Sequence, residues 1–357
     1  MRILYDSQIF TLQKFGGISR YFVELVNHLP DGYYPKISLK VSDNAYVKED
    51  KGAFKRVFEC PSKKYKEQIE RGVNHWSDIM SLRANRIDLF HPTYYNPYFL
   101  RHLKAPYVIT VHDMIHERYA HLFPNDTTYR DKEETIKKAQ RIIAISHYTK
   151  KDIMDIYDIP EDRIDVVYHG YSVDGIPTPV IGLPEKYVLF VGQRFHYKNF
   201  KRFVEAFAML NKRYPDIYLV CTGKKFDNEE LNEFKQVGIA DKIKQYYVND
   251  SQLTYLYQNA LCFVFPSLYE GFGIPILEAF ACNCPVVLSD ASCFPEIAKD
   301  AAAYFNPVDV ESMVDAMTSV IENEELKNEL KQRGAERLRT FSWDKMAIAT
   351  ATIYSKI

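Results

Sequence analysis

Short apolar runs alternate with stretches of helical period along the whole chain. In the first half the runs lie at 2–5, 37–41, 88–91, 107–111, 141–145 and 165–168. Several, such as YVITV at 107–111, are apolar throughout, as strands of a parallel sheet covered on both faces should be. Between them, 18–29 (ISRYFVELVNHL), 65–84 and 127–140 carry apolar residues at helical spacing. The stretch HGYSVDGIPTPVIGLPEK at 169–186 breaks the pattern: its prolines and glycines have no period and predict a linker. The alternation then restarts, with strands at 187–191, 217–221, 243–248, 261–265, 285–288 and 302–305. A helix at 201–213 separates the first two, and NDSQLTYLYQNA supplies capping residues before another. From 310 to 357 the chain reads as consecutive helices. The pattern predicts an α/β chain of two Rossmann-like doubly wound domains, 1–170 and 187–341, joined by a linker at 171–186. Ligands of such sheets sit beyond the carboxyl ends of the strands, so the expected site faces a central cleft between the domains.

Composition narrows the class. A length of 357 residues suits two domains, and a formal charge of −1 argues against broad nucleic-acid binding. MRILYD at the start reads as a strand rather than a signal peptide, and no apolar run approaches the roughly 20 residues of a membrane span, so a cytoplasmic location is expected. Of six cysteines only Cys282 and Cys284 are close in sequence; without a second close pair, reduced structural thiols are expected and a zinc site is not.

Four motifs fall just after strands. QKFGGISRYF places Gly16 and Gly17 before a helix, where backbone N–H groups can approach a phosphate or sugar; a plain turn reads equally well. VITVHDM sets His112 and Asp113 after an apolar strand, with His112 expected to face the cleft; the plainer reading is a histidine capping a turn. LFVGQRFHYKNF carries Arg194 and Lys198, two cations suited to a diphosphate and to charge building on a departing phosphate oxygen; the plainer reading is a solvated basic loop. In FPSLYEGFGIPILE, Gly271 and Gly273 permit close backbone approach, Pro275 starts a helix, and Glu270 and Glu278 stand on either side. Paired carboxylates also suit a glycosidase, but nothing nearby would hold one of them protonated. Ionised carboxylates accept hydrogen bonds from vicinal hydroxyls, so a nucleotide-sugar fits better: sugar near Glu270, diphosphate at the helix start and the two cations, ribose near Glu278.

These motifs resemble those of retaining GT-B glycosyltransferases of family GT4. FPSLYEGFGIPILEAFACNCPVVLSD is similar to that family's two-glutamate signature, VGQRFHYKNF to its phosphate clamp, and VHDMIHERY and AISHYTKKDI to its N-domain motifs. The N-terminus, IFTLQKFGGISRYFVELV, is similar to that of bacterial O-antigen and capsule transferases, often mannosyltransferases. The resemblance runs from residue 1 to about 350. It implies that Glu270 and His112 contact the transferred sugar, that Glu278 holds the ribose, and that Gly271, Phe272, Gly273 and Ile274 contact sugar and phosphates. Arg194 and Lys198 would bind the diphosphate, although Gly-Gln-Arg sets the arginine one place later than the family's commonest form. Gly17, with Gly16, would lie near the diphosphate, and the base near Gly223 and Val248. The last helix, 342–357, is expected to pack back on the first domain. No divalent metal is expected, because cations and helix termini do its work.

The activity implied is retaining transfer of a hexose to a hydroxyl of a glycan or lipid-linked glycan in surface polysaccharide synthesis, with GDP-mannose as donor and no bound cofactor. In the family, the leaving phosphate oxygen takes the acceptor's proton. An inverting enzyme would need a base, for which Asp113 is the candidate. Rival readings are a UDP-sugar donor, a GT-B sugar-nucleotide epimerase, and a non-catalytic nucleotide-sugar binder. The basic segment 63–86 carries Trp76, Ile79, Met80 and Leu82; it reads most simply as a helix packing its apolar stripe inward, and alternatively as a peripheral contact at the inner face of the plasma membrane.

Overall fold

The computed structural model describes residues 1–47, 63–84, 86–173, 175–194 and 196–357. Cys60 and the start of the basic segment's surroundings, 48–62, lie outside the described residues. The chain forms two compact units, one of residues 1–170 with 342–357, the other of residues 171–341.

In the first unit the strands are β1 (Arg2–Tyr5), β2 (Tyr34–Ile37), β3 (Leu89–His91), β4 (Val108–Val111), β5 (Arg141–Ala144) and β6 (Ile164–Val166). They pair in parallel in the orders β2-β1-β3 and β4-β5-β6, and a bridge from Phe90 to Tyr107 joins the two sets. The expected strand at 37–41 is displaced toward the N-terminus. β2 is an edge strand with alternate residues exposed, so its sequence lacks the unbroken apolar run that marks β4, buried along its length. Ile3, Tyr5, Phe22, Val108 and Ile143 form the core, and the helix Trp343–Tyr354 closes it with Trp343, Met346 and Tyr354. Tyr354 is tied down by its hydroxyl, 2.9 Å from that of Tyr5 and 2.6 Å from Nδ1 of His91.

The helix Lys63–Arg83 departs from expectation. Its inward side is polar: Asn74, Ser77 and Asp78 are buried. Asn74 Oδ1 accepts from Lys40 N (2.9 Å) and Val41 N (3.0 Å), and Ser77 Oγ donates to Ser38 O at 2.8 Å. The apolar stripe faces outward instead, with Trp76 and Met80 exposed; only Leu82 of the four residues singled out from sequence is buried. Backbone groups of the 38–41 loop need partners, and this helix's polar side supplies them.

In the second unit the strands are β7 (Tyr187–Phe190), β8 (Tyr218–Thr222), β9 (Ile243–Tyr246), β10 (Cys262–Phe265), β11 (Val286–Ser289) and β12 (Ala303–Phe305), in the order β12-β11-β10-β7-β8-β9 and parallel throughout. The order reverses between β7 and β10, the switch point at which doubly wound sheets open a crevice. Cys221, Cys262, Cys282, Cys284 and Cys293 are free and buried, and burial raises the pKa of each thiol. No helix among the described residues is long and apolar enough to cross a membrane.

Candidate active site

In the second unit the loops after β7 and β10 flank the switch point. The two loops are stitched together by Leu268 N, which donates to Tyr197 O at 2.8 Å, and by Asn199 Nδ2, which donates to Pro266 O at 3.1 Å. That brings Lys198 and Glu270 into contact: Lys198 Nζ lies 2.6 Å from Glu270 Oε1, with both side chains less than a fifth exposed. Ser267 Oγ donates to the same carboxylate oxygen at 2.7 Å, and Ser292 Oγ accepts from Glu270 N at 3.2 Å. The loop is held from below by Cys293, whose Sγ donates to the carbonyls of Glu270 (3.3 Å) and Phe272 (3.2 Å).

The helix Ile274–Ala281 starts from this loop with Pro275 in its first turn. Its N-cap, Gly273, has φ 96°, and an added Cβ would lie 2.9 Å from Ile276 Cδ1 and 3.1 Å from Phe294 Cε1, so glycine is required on both counts. Gly271 and Phe272 are buried behind it. Glu278 lies one turn on, half-buried, and accepts from the Tyr257 hydroxyl at 3.4 Å. Burial, then the Glu278 charge, raises the Tyr257 pKa well above its usual value, so this phenol stays a donor. On the other side of β7, Gly223 ends β8 at φ 101°, where a Cβ would meet the carbonyl oxygen of Gly192 at 3.1 Å. Gln245 Nε2 donates to Gly223 O at 2.7 Å, and Val248 follows β9 half-exposed.

Arg194 has partners of its own. Its Nε and Nη2 lie 2.5 and 3.2 Å from the two oxygens of Glu230, and Nη2 also donates to the carbonyls of Lys224 (2.9 Å) and Lys225 (3.2 Å). The guanidinium sits between the rings of Phe226 and Phe200, and its side chain is 6% exposed. Glu230 is meanwhile the third residue of a capping box with Asp227. Arg194 is thus a strut between two loops, while its exposed neighbour is Gln193. Arg194 also lines a cavity of about 750 Å³, together with Gln193, His196, Lys224 and Lys225.

In the first unit Gly17 opens the helix Gly17–His28 with Gly16 as its N-cap, and Ser19 Oγ donates to Gly16 O at 3.0 Å. The His112 ring lies against aromatic side chains of its own unit. It is 6% exposed and packs edge-on to Tyr21 (5.1 Å between centroids), with His169 stacked at 5.9 Å. Its Nε2 has no hydrogen-bond partner among the described residues. Burial, then the charges of His91 and Lys132, lowers its pKa to about 3. The ring is therefore a neutral hydrogen-bonding group near neutrality, not a titrating acid or base. Asp113 Oδ1 accepts from Ile115 N at 3.0 Å and lies 3.8 Å from the buried ammonium of Lys132.

This gives a pH prediction. Above pH ~4 the His112 ring stays neutral, so His112→Gln should lower kcat while leaving the shape of the pH–rate profile between about 5 and 8 unchanged. An inflection near 6.5 that disappears in the variant would show that His112 titrates. Stability follows the same group: unfolded His112 takes up a proton below about 6.5, whereas the folded ring resists to about 3, so its contribution is complete above 6.5 and is lost as pH falls toward 3.

The first unit also holds a cavity, of about 390 Å³, at the carboxyl ends of β1 and β3. Asp78, Arg71, His75, Asn96, Tyr98 and Asp131 contribute to its wall. Behind it is buried Asp6, which accepts from Thr93 N (2.9 Å) and the Tyr98 hydroxyl (3.1 Å); Asp78 accepts from Ser7 Oγ at 2.7 Å. Burial raises the pKa of both acids. None of these residues was singled out from sequence, although Asp6 directly follows β1 and 93–98 directly follows β3, which was a usable signal. Among the described residues there is no group of three or more His, Cys, Asp or Glu side chains able to hold a metal ion.

Two α/β units built on parallel sheets are the architecture of the GT-B glycosyltransferases. Residues 15–174 match the family model described as glycosyltransferase family 4, and residues 178–337 match that of glycosyl transferases group 1. The chain belongs to glycosyltransferase family 4 and is a glycosyltransferase. It is 30% identical over 295 residues to O-antigen chain mannosyltransferase B of Escherichia coli, covering 77% of this chain and 76% of that one. With O-antigen chain mannosyltransferase RfbU of Salmonella typhimurium it shares 29% identity, covering 59% of this chain and 60% of that one. Among solved structures, a sucrose-phosphate synthase from Thermosynechococcus elongatus superposes with a TM-score of 0.78 at 17% identity, covering 99% and 98% of the two chains. HepE of Anabaena, in complex with UDP and glucose, gives 0.75 at 16%, covering 100% and 99%.

Proposed function

We propose that this glycosyltransferase moves mannose, with retention of configuration, from GDP-mannose to a hydroxyl of a glycan or lipid-linked glycan in surface polysaccharide synthesis. The observation that carries the donor reading is the Lys198–Glu270 pair beside the glycine-started helix at Ile274. The two groups neutralise each other without donor. With donor bound, Glu270 turns to the hydroxyls of the transferred sugar and Lys198 to the diphosphate, each exchanging one charged partner for another. The unpaired N–H groups at the start of the helix Ile274–Ala281 add donors for the phosphates. Glu278, steadied by Tyr257, accepts from the ribose hydroxyls, and the half-exposed Val248 borders the base.

In the transfer step the C–O bond to the diphosphate breaks and the acceptor oxygen forms its bond on the same face. The departing phosphate oxygen takes the acceptor's proton, so no separate base is required. His112, neutral and with an open nitrogen, hydrogen-bonds a hydroxyl of the transferred sugar. The polar cavity around Asp78 and Tyr98 seats the acceptor's sugar. The mannose assignment draws on the names of the Escherichia coli and Salmonella typhimurium relatives.

The test is donor selection followed by product analysis. GDP-mannose should raise the melting temperature where UDP-glucose, UDP-N-acetylglucosamine and ADP-glucose do not, and the product should carry an α-mannosyl linkage by NMR. Stabilisation by a UDP-sugar with no response to GDP-mannose would overturn the donor, and a β-mannosyl product would overturn retention.

A further inference from the structure

The turn after β11, residues 289–293, grips the loop that carries Glu270. Ser289 Oγ donates to Ser267 O at 2.6 Å, and Ser292 Oγ accepts from Glu270 N at 3.2 Å. Cys293 Sγ lies 3.3 Å from Glu270 O and 3.2 Å from Phe272 O, both within reach of its S–H proton. Glu270 is therefore held by its own N–H and its own carbonyl, through two adjacent residues. The parallel pairing of β10 with β11, which sets Phe265 opposite Leu288, brings the two turns side by side. Two features set this grip apart from ordinary loop packing. Ser292 has φ 53°, a left-handed backbone that residues other than glycine seldom adopt. Such a conformation persists where its surroundings enforce it, and here it places Oγ on the Glu270 amide. Cys293 is fully buried, and burial, then the charges of Glu270 and Glu296, raises its pKa well above the usual value. The thiol thus keeps its proton near neutrality and stays a donor. Beyond the main chain, the Glu270 carboxylate is set by Ser267 Oγ (2.7 Å) and Lys198 Nζ (2.6 Å), both on Oε1.

We propose that Ser292 and Cys293 are positioning residues for the transfer: they fix the main chain of Glu270 so that its carboxylate meets the transferred sugar in one place. The proposal rests on the role given to Glu270 above. Cys293, with no exposed surface, cannot itself reach a ligand, so any effect it has on turnover passes through the loop it holds. Ser292 acts in the same way, through the Glu270 amide. The helix start at Ile274 and the Glu278 carboxylate, which bind phosphates and ribose in that reading, lie beyond the gripped segment. Loosening the turn should therefore cost reaction rate rather than donor affinity. A reacting group displaced by about 1 Å can lose about a hundredfold in rate.

Turnover is read as release of nucleoside diphosphate from GDP-mannose, or from a UDP-sugar if donor selection returns one, and donor Kd by titration calorimetry. Ser292→Gly keeps the left-handed backbone without strain and removes only Oγ. Cys293→Val keeps the bulk and removes the donor. Each should lower kcat about ten- to a hundredfold, with Kd within about threefold of the parent. Cys293→Ser restores a donor and should bring kcat back to within about fivefold of the parent, even where it melts below Cys293→Val. In a Glu270→Ala background neither Ser292→Gly nor Cys293→Val should lower kcat further, because the group they position is gone. Hydrogen exchange at the Glu270 amide, followed by NMR without nucleotide, should speed up at least about tenfold in Ser292→Gly. That measurement needs no substrate, and the Ser292→Gly results stand alone where Cys293→Val does not fold. Parent kcat in Ser292→Gly, a loss that adds in full to that of Glu270→Ala, a Cys293→Ser enzyme no better than Cys293→Val, or unchanged exchange at Glu270 would each overturn the proposal. A Glu270→Ala enzyme with parent turnover would overturn the role of Glu270 and the proposal with it, and it shows before any change at 292 or 293 is made.

Discussion

Lys198→Ala should lower kcat by about a hundred- to a thousandfold, the usual cost of removing one group that stabilises developing oxyanion charge. The ammonium is mostly buried, paired with Glu270 and near the rings of Tyr197 and Phe265. Glu270→Ala should also act mainly on turnover. The two substitutions together should cost less than the product of the single losses, because each alone leaves a half-buried charge unpaired. Glu278→Ala should behave differently: the donor Kd should rise about tenfold or more, as expected on losing a charged hydrogen bond to ribose, with a smaller change in kcat. Isothermal titration with the donor and single-turnover rates separate the two behaviours. A Lys198→Ala enzyme within threefold of the parent, or Glu270→Ala and Glu278→Ala variants alike in both quantities, would count against the assignment.

Arg194→Ala should be a stability variant first. Its guanidinium ties β7's loop to the 224–225 turn and pairs with Glu230, which would be left with an unmatched charge at a helix N-terminus. Breaking a largely buried pair of this kind costs about 3 kcal/mol. For a unit the size of residues 171–341, unfolding by itself, that corresponds to a drop in melting temperature of roughly 6–12 °C. The donor Kd should change by less than about tenfold once measured below the lowered melting point. If instead kcat fell a hundredfold with the melting temperature unchanged, Arg194 would be a diphosphate ligand in the closed enzyme, and the strut would be a resting position. Lys at this position should not rescue stability, because it cannot reproduce the two-pronged contact with Glu230.

Much of the fold was legible because buried parallel strands are written as unbroken apolar runs. β4, β10 and β11 are buried at every position, and each was placed to within a residue or so. The edge strand β2 was misplaced because one side of it faces water and its apolar signal is diluted. At the site, glycine and proline spacing around Gly273 and Pro275 announced a loop feeding a helix, since few other residues tolerate that backbone. What joins Lys198 to Glu270 was not legible: the residues are 72 apart in sequence and meet only because β7 and β10 are neighbours in the sheet. Arg194 shows the same limit in reverse, since its charge was plain but Glu230, 36 residues away, was not visible as its partner. The helix Lys63–Arg83 shows another. Periodicity tells which residues share a face and is silent on whether that face meets core or solvent; the hydrogen-bonding needs of the 38–41 loop decided it.

The helix Trp343–Tyr354 completes the core of the unit that is synthesised first. The Tyr5 and His91 side chains acquire their Tyr354 partner only after the whole intervening unit has been translated. At about 5–20 residues per second, that delay is roughly ten to forty seconds. During it the nascent first unit has an open apolar seam along Tyr5 and Phe22, while the second unit, contiguous in sequence, has everything it needs to finish. The order of completion on the ribosome is thus expected to run opposite to the order of synthesis, and the first unit is the one for which a chaperone that shields exposed apolar surface would matter.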